Sequence, residues 1–384
     1  MRSPATDGTR AWPDLHEGQR AVLLEVLIHG AMSRAELSRR LGLSRTSLSR
    51  LTRELVELGL VEEGETLPIG GRGRPSEMLR IRPDAAFFAG IKLTGDALYV
   101  TVVDLHAQVV LREDHDLDSR AVDDVVALIG RVVHRLREQH PLLRAVGVCL
   151  AGDVEDVGER QLVVGSHFLG WDQVALAELV TAATGLPAVA ANDVQSLTAA
   201  HHWFGAGVGL RSFAVIGLGA GIGAGIVANG QIVKGARGHP GKIGHLPVTA
   251  DGPRCDRGHV GCVSAYVTAP AILANSGADE YAQAIVRARR GEPVAVAAFD
   301  AAGFALGTAI ATIVDLVDPE KIVVTGEGLA VLELAPTAME RGIAVRLDPA
   351  SEPVPVEARP FDFSDYAWAA AISAIRHVIH AVRT

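Results

Sequence analysis

A cluster of polar side chains near the N-terminus could do chemistry: Ser44, Arg45, Thr46, Ser49, Arg50 and Arg53. At 3.6 residues per turn they face away from Leu48, Leu51, Leu55 and Leu58. A helix running from Ser44 to about Gly59 would bury its leucines and present guanidinium and hydroxyl groups outward. Guanidinium forks match guanine edges and phosphates, and hydroxyls reach bases or backbone, so such a face can read the major groove of double-stranded DNA. Arg72 and Arg74, in the run Ile69-Gly70-Gly71-Arg72-Gly73-Arg74-Pro75, add two cations on a loop. There the negative potential of a minor groove would favour arginine.

Holding that face requires a small helical unit with a wing. Arg20–His29 reads as a first helix. Ser33, three residues before Glu36, is a capping-box signature for a second, and Gly42 suits its left-handed stop. Leu43 bridges the turn and Ser44 can cap the third helix. Leu60-Val61 opens a strand, and the Gly/Arg stretch before Met78–Ile81 makes a hairpin wing. The polar segment 1–17, with Pro4 and Pro13, reads as a loose arm. Residues 1–82 therefore read as a winged helix-turn-helix; the plain alternative is a charged three-helix domain that docks another protein.

The remainder, residues 83–384, is different in texture. Short β-rich runs (Ala86–Leu93, Ala97–Asp104, Ala145–Leu150, Phe213–Gly217, Lys321–Thr325) alternate with amphipathic stretches such as Val122–Glu138 and Val174–Thr184, which argues α/β. No short internal repeat is visible. The 384-residue chain is 48% hydrophobic and 21% charged, a globular composition with room for two or three domains. Its net charge of −9 divides into +2 over residues 1–82 and −11 over the rest. An acidic body repels polyanions, which confines nucleic-acid contact to the first domain. Three cysteines are too few for a disulfide framework. No apolar run reaches the roughly 18 residues of a membrane span, and Met1–Leu15 lacks a signal-peptide core. The expectation is a cytoplasmic protein without membrane contact. Cys149, Trp171 and Trp203 read as core, and His201-His202 as surface or packing residues.

Several motifs together resemble the ROK family (repressors, open reading frames, kinases). They are the Leu-Ser-Arg-Thr-Ser-Leu-Ser-Arg and Gly-Arg-Gly-Arg-Pro runs within Ser33–Pro75, Ala191-Asn192-Asp193, the glycines of Gly217–Gly225, Gly235–His245, the Cys255–Cys262 cluster, and Asp318-Pro319 followed by Val324-Thr325-Gly326-Glu327-Gly328. The resemblance covers almost everything after residue 18. It implies a body of two actin-like, ribonuclease-H-like α/β lobes with a sugar cleft between them. It also implies a homodimer or homotetramer on a two-half-site operator, with an effector that alters lobe closure by preferring one state. Kinase members open the body with an Asp-x-Gly-Gly-Thr loop for ATP and magnesium. Here Lys92 stands at the carboxylate, Thr94 at a glycine and Asp96 at the threonine, so neither ATP binding nor phosphoryl transfer is expected.

The resemblance places effector contacts at His167, Asn192, Asp193, Lys242, His245 and Ser264. Asp193 could anchor a polyol. Lys242 and Ser264 replace carboxylates and His167 replaces an asparagine, which disfavours an ordinary hexose and leaves a pentose, a phosphorylated or acidic sugar, or no ligand open. A cationic Lys242 would favour an anionic ligand, or it pairs with Asp193 and fills the cleft. The family zinc pattern Cys-x-Cys-Gly-x-x-Gly-Cys, completed by a preceding Gly-His, becomes Cys255-Asp256-Arg257-Gly258-His259-Val260-Gly261-Cys262. His245, Cys255 and Cys262 leave three ligands where structural zinc takes four. Arg257 in the vacated position would oppose a cation, whereas His259 or Asp256 could supply a fourth donor. Three readings follow: an effector-modulated repressor of carbohydrate genes, an effector-independent DNA-binding regulator, and a sugar kinase that also binds DNA.

Overall fold

The computed structural model describes residues 12–67, 76–158 and 160–380. The first helix, α1 (Glu17–His29), starts earlier than the apolar pattern suggests. His16 caps it reciprocally with Gln19, a box that a Ser/Thr rule overlooks. Residues 12–16 are not a loose arm either: Leu15 is buried and the Trp12 ring meets Phe88 edge-on at 5.9 Å. After β1 (Met32–Ser33) come α2 (Arg34–Leu41), α3 (Arg45–Glu57), β2 (Val61–Leu67) and β3 (Ser76–Ile81). The Ser33 hydroxyl accepts from Glu36 N at 3.2 Å, but the Glu36 side chain pairs with Arg39 rather than closing the box. Gly42 takes the left-handed stop, φ 64°. β3 lies between β1 and β2 in an antiparallel sheet, which makes the helices and hairpin one winged unit.

A single 3-10 turn, Pro83–Ala85, leads on to β4 (Phe87–Leu93), β5 (Ala97–Asp104), β6 (Val109–Asp116), α4 (Val122–Gln139), β7 (Leu143–Leu150), β8 (Asp153–Val157), β9 (Arg160–Gly165), α5 (Leu176–Thr184), β10 (Ala188–Asn192) and α6 (Asp193–Phe204). The five-stranded sheet runs β10-β7-β4-β5-β6. β7 and β10 extend it in parallel, while β5 and β6 turn back antiparallel.

By its internal contacts the chain forms two compact units, one of residues 1–209 and 363–384, the other of 210–362. The second unit repeats the sheet plan. Its strands are β11 (Phe213–Leu218), β12 (Ile222–Ala228), β13 (Gln231–Ile232), β14 (Lys321–Thr325) and β15 (Val356–Ala358), and its helices α7 (Ser264–Val267), α8 (Ala269–Ser276), α9 (Tyr281–Arg289), α10 (Pro293–Val317), α11 (Ala330–Leu334) and α12 (Pro336–Arg346). The order β13-β12-β11-β14-β15, with β12 antiparallel and β14 and β15 parallel, is the same ribonuclease-H-like arrangement. Helix α10 is long and apolar enough to cross a bilayer, yet two thirds of that stretch is buried inside the protein. It is the core helix of the second unit, packed through Phe299, Leu306 and Ile310.

The chain returns to the first unit as α13 (Phe363–His380). This helix sits on the first sheet because two strand residues are glycines: a Cβ on Gly90 would collide with the Ala367 carbonyl, and one on Gly147 with that of Ala370.

Candidate functional site

Helix α3 carries the polar face. Ser44 is its N-cap, accepting from Ser47 N at 3.2 Å, while Leu48, Leu51 and Leu55 are buried beneath. Ser44, Arg45, Thr46, Ser49, Arg50 and Arg53 are all exposed. Leu58 does not join the buried stripe: the helix ends at Glu57 and Leu58 is 42% exposed. Buried Thr52 serves instead, because it has a polar partner. Arg34 donates from Nε to Thr52 Oγ1 at 3.2 Å and its other nitrogens hold Glu63 of β2 and Glu77 of β3. One guanidinium thus fixes α3 against both wing strands, a role that neither sequence periodicity nor motif spacing discloses. Within α3, Arg50 pairs with Glu54 at 2.9 Å and Arg53 with Glu57 at 4.0 Å, whereas among the described residues no ion pair engages Arg45. Arg72 and Arg74 lie outside the described residues.

In the first unit the substituted Lys92 meets the retained Asp193. Lys92, on β4, reaches over β7 to Asp193 at the start of α6, with Nζ 2.8 Å from Oδ2. The side chains are 4% and 12% exposed, and the Tyr366 ring of α13 lies 4.4 Å from the ammonium. Asp193 already has its cation, from within the same unit. Cys149 lies beside the pair and burial pushes its thiol up to about 12, against the pull of Lys92, so it is an inert core residue. Asn192 is also engaged: its Oδ1 caps α6 through Val194 N and its Nδ2 donates to Gly152 O. His167 is exposed on the turn between Ser166 and Trp171. The β4–β5 hairpin is filled by its own residues, the Thr94 hydroxyl donating to Asp96 Oδ1 at 2.8 Å and accepting from Ala97 N at 2.9 Å.

In the second unit the turn after β14 packs against the end of β11. Gly328 N donates to Leu218 O at 2.8 Å, and Gly326 at φ 114° lies against the same carbonyl. The Glu327 carboxylate rests on Gly219, where a Cβ would strike it. Lys242 and His245 are exposed. Ser264, at the start of α7, donates its amide to Gly244 O at 2.7 Å. Around His245 a donor set converges. Its Nδ1 lies 3.8 Å from Cys255 Sγ and 3.7 Å from Cys262 Sγ, and His259 Nδ1 lies 3.5 Å from Cys255 Sγ. The donor atoms of His245, Cys255 and His259 are all within 4.8 Å of one another. Zinc bonds of about 2.0–2.3 Å at tetrahedral angles separate neighbouring donors by roughly 3.5 Å, so these spacings fit the ion. Arg257 is exposed, its Nε 3.9 Å from Asp256, and takes no part in the cluster.

The sequence profile of the ROK family matches residues 88–370, most of the chain. The protein belongs to the ROK family. A MarR-family profile covers residues 14–67, the winged unit. The ROK chain is 26% identical over 314 residues to a xylose repressor of Bacillus spizizenii, covering 79% of this chain and 80% of that protein. Among solved structures, a ROK family transcriptional regulator described as a homolog of the E. coli MLC protein superposes with a TM-score of 0.79 at 25% identity, over 94% of this chain and 95% of that one. A ROK glucokinase from Streptomyces griseus, in complex with glucose and AMPPNP, matches 76% of this chain and all of its own with a TM-score of 0.64 at 25% identity. The ROK body is thus shared by repressors and kinases, and the winged unit sets this chain beside the regulators.

Proposed function

We propose that this ROK protein is a cytoplasmic, homodimeric or larger DNA-binding repressor of carbohydrate genes that transfers no phosphoryl group. The observation that carries the reading is the exposed Arg45/Thr46/Ser49 face of α3, held on a winged scaffold by Arg34. Two-fold symmetry would set two such helices on an operator with two half-sites. Selection of genomic fragments by the full-length protein tests it, with Arg45→Ala as the discriminating variant. A base-reading arginine contributes about 1–3 kcal/mol, or roughly tenfold or more in affinity. Arg50→Ala and Arg53→Ala should cost less, because those side chains first leave Glu54 and Glu57. Retention of no fragment at modest ionic strength would reject the reading.

Phosphoryl transfer is disfavoured by charge. The β4–β5 hairpin, where the kinase resemblance puts phosphate, presents Asp96, and Lys92 occupies the metal-carboxylate position. An ADP-release assay over a sugar panel checks this, and turnover would refute it. A carbohydrate effector is supported by the regulatory relatives. The Lys92–Asp193 pair favours a second reading, in which regulation proceeds without one, because a neutral polyol would have to displace a buried ammonium to use Asp193. Thermal-shift screening with xylose and other sugars separates the two, since only a ligand that binds the folded state raises its stability.

A further inference from the structure

The Lys92–Asp193 pair poses a physical question, because a buried ion pair is a costly way to fill space. Apolar residues of similar volume avoid desolvating either charge, yet here the two side chains are only 4% and 12% exposed. Their surroundings account for the charge. Asp193 stands in the first turn of α6, where the helix N-terminus favours a carboxylate. Its Oδ1 accepts from Val194 N at 2.9 Å, and its Oδ2 is the oxygen that meets the ammonium. The ring of buried Tyr366 lies 4.4 Å from Lys92 Nζ.

Further contacts hold that ring in place. Cys149 Sγ donates to Tyr366 O at 3.3 Å. Phe363, with its ring centroid 6.3 Å from that of Tyr366, stacks on Tyr99 of β5 at 5.3 Å. A carboxylate and an aromatic face around one point are the two halves of an ammonium receptor. They come from α6 and α13, and neither belongs to the strand that carries the lysine. Lys92 enters from β4, where it is paired with Cys149 of β7 and Tyr99 of β5.

We propose that Asp193 and Tyr366 form an ammonium-binding site, filled by Lys92 as a tethered ligand. The class of ligand it takes is a primary alkylammonium, with N–H donors for Asp193, charge for the ring face and a stem as narrow as that of lysine. A neutral polyol has no charge to offer either partner and is excluded while the lysine is in place. The inference rests on the reading in which regulation proceeds without a sugar, and it supplies the cause: the carboxylate that would anchor a sugar already has an occupant.

The test removes the tether and returns the ligand in free form. In the full-length protein, Lys92→Ala deletes the outer part of the side chain, which n-propylammonium reproduces; a buried cavity takes up a ligand of matching shape. Lys92→Ala should melt below the wild type, and n-propylammonium chloride should raise its unfolding temperature relative to sodium chloride at equal ionic strength. The wild type, whose site is filled, should not respond. Nor should Lys92→Ala combined with Asp193→Leu, and n-propanol, the same shape without charge, should give only a small part of the shift. No response of Lys92→Ala to the amine, or an equal response to n-propanol or in the double variant, overturns the proposal. Adding Tyr366→Leu to Lys92→Ala should weaken the amine's effect severalfold, and an unchanged response overturns the assignment of the ring. Should Lys92→Ala fail to fold, refolding with each additive decides: recovery in the amine alone supports the site, whereas no recovery, or equal recovery in n-propanol, overturns it. The rescue is read on the variant and the sugar screen on the wild type, so the two readings fail separately.

Discussion

The two five-stranded sheets share one strand order and one set of directions, but they solve helix packing and central charge differently. In the first, the glycines are in the strands: Gly90 and Gly147 let α13 settle on the sheet. In the second they are in the helices: Gly307 of α10 faces the Met339 carbonyl of α12, and Gly342 of α12 faces that of Phe304. The first sheet also buries a lysine–aspartate pair beside its central strand; the second places a carboxylate, Glu327, on its hairpin. One topology therefore tolerates two chemistries, because strand order depends on pairing and apolar pattern, and not on which residues occupy the loops. Function has to be argued from each site separately.

The sharpest way to break this comparison is to remove the first sheet's cation. Lys92→Met leaves Asp193 buried without its partner, and loss of one member of a buried pair costs about 3–5 kcal/mol. Lys92→Met combined with Asp193→Leu should recover most of that, since a well-packed apolar pair avoids the desolvation penalty altogether. Chemical denaturation of the three proteins gives the cycle. If the single variant is no less stable than the double, the pair is solvated and its burial is not what holds Asp193.

A smaller effect is expected from glycine. Gly90→Ala forces α13 off its strand, because the obstacle is main-chain carbonyl and amide, and overpacking of this kind costs about 1–3 kcal/mol. Gly219→Ala meets only the end of the Glu327 side chain, which can swing away, so its cost should be clearly lower. Equal losses in thermal unfolding would contradict the distinction between strand glycines that seat a helix and hairpin glycines that merely allow a turn.

Much of this was legible in the residues. The α3 face, the Gly42 stop and the alternation of strands and helices follow from local periodicity and capping chemistry, which the structure preserves. What escaped needs long-range geometry. Lys92 stands out in sequence as a lysine where a carboxylate is usual, but its bond to Asp193 requires the order β10-β7-β4, which no local pattern encodes. Arg34 looks like any surface arginine until Thr52, Glu63 and Glu77 converge on it. The duplicated sheet left no repeat, since paired strands need matching alternation and not matching residues. The sequence offers His259 as a donor, yet only the turn at Gly258 shows why it faces the cluster and Arg257 does not.

The least of the expected effects concerns acid, and it bears on the first unit alone. His202, on α6, is packed near the buried guanidinium of Arg376, which stacks 4.2 Å from Trp203. Burial, then the charge of Arg376, lowers the His202 pKa from 6.5 to about 4. The unfolded chain therefore takes up a proton as pH falls through 6.5, while the folded chain resists until near 4. The stabilisation is complete above that window and drains away within it, because the unfolded state binds the extra proton. His202→Asn removes the titration, so the unfolding temperature of the first unit should fall less between pH 7 and pH 5 than in the wild type. Calorimetry at the two pH values measures the difference. An unchanged slope would mean that His202 is protonated equally in both states, and would remove acid lability from the features that set the first unit apart.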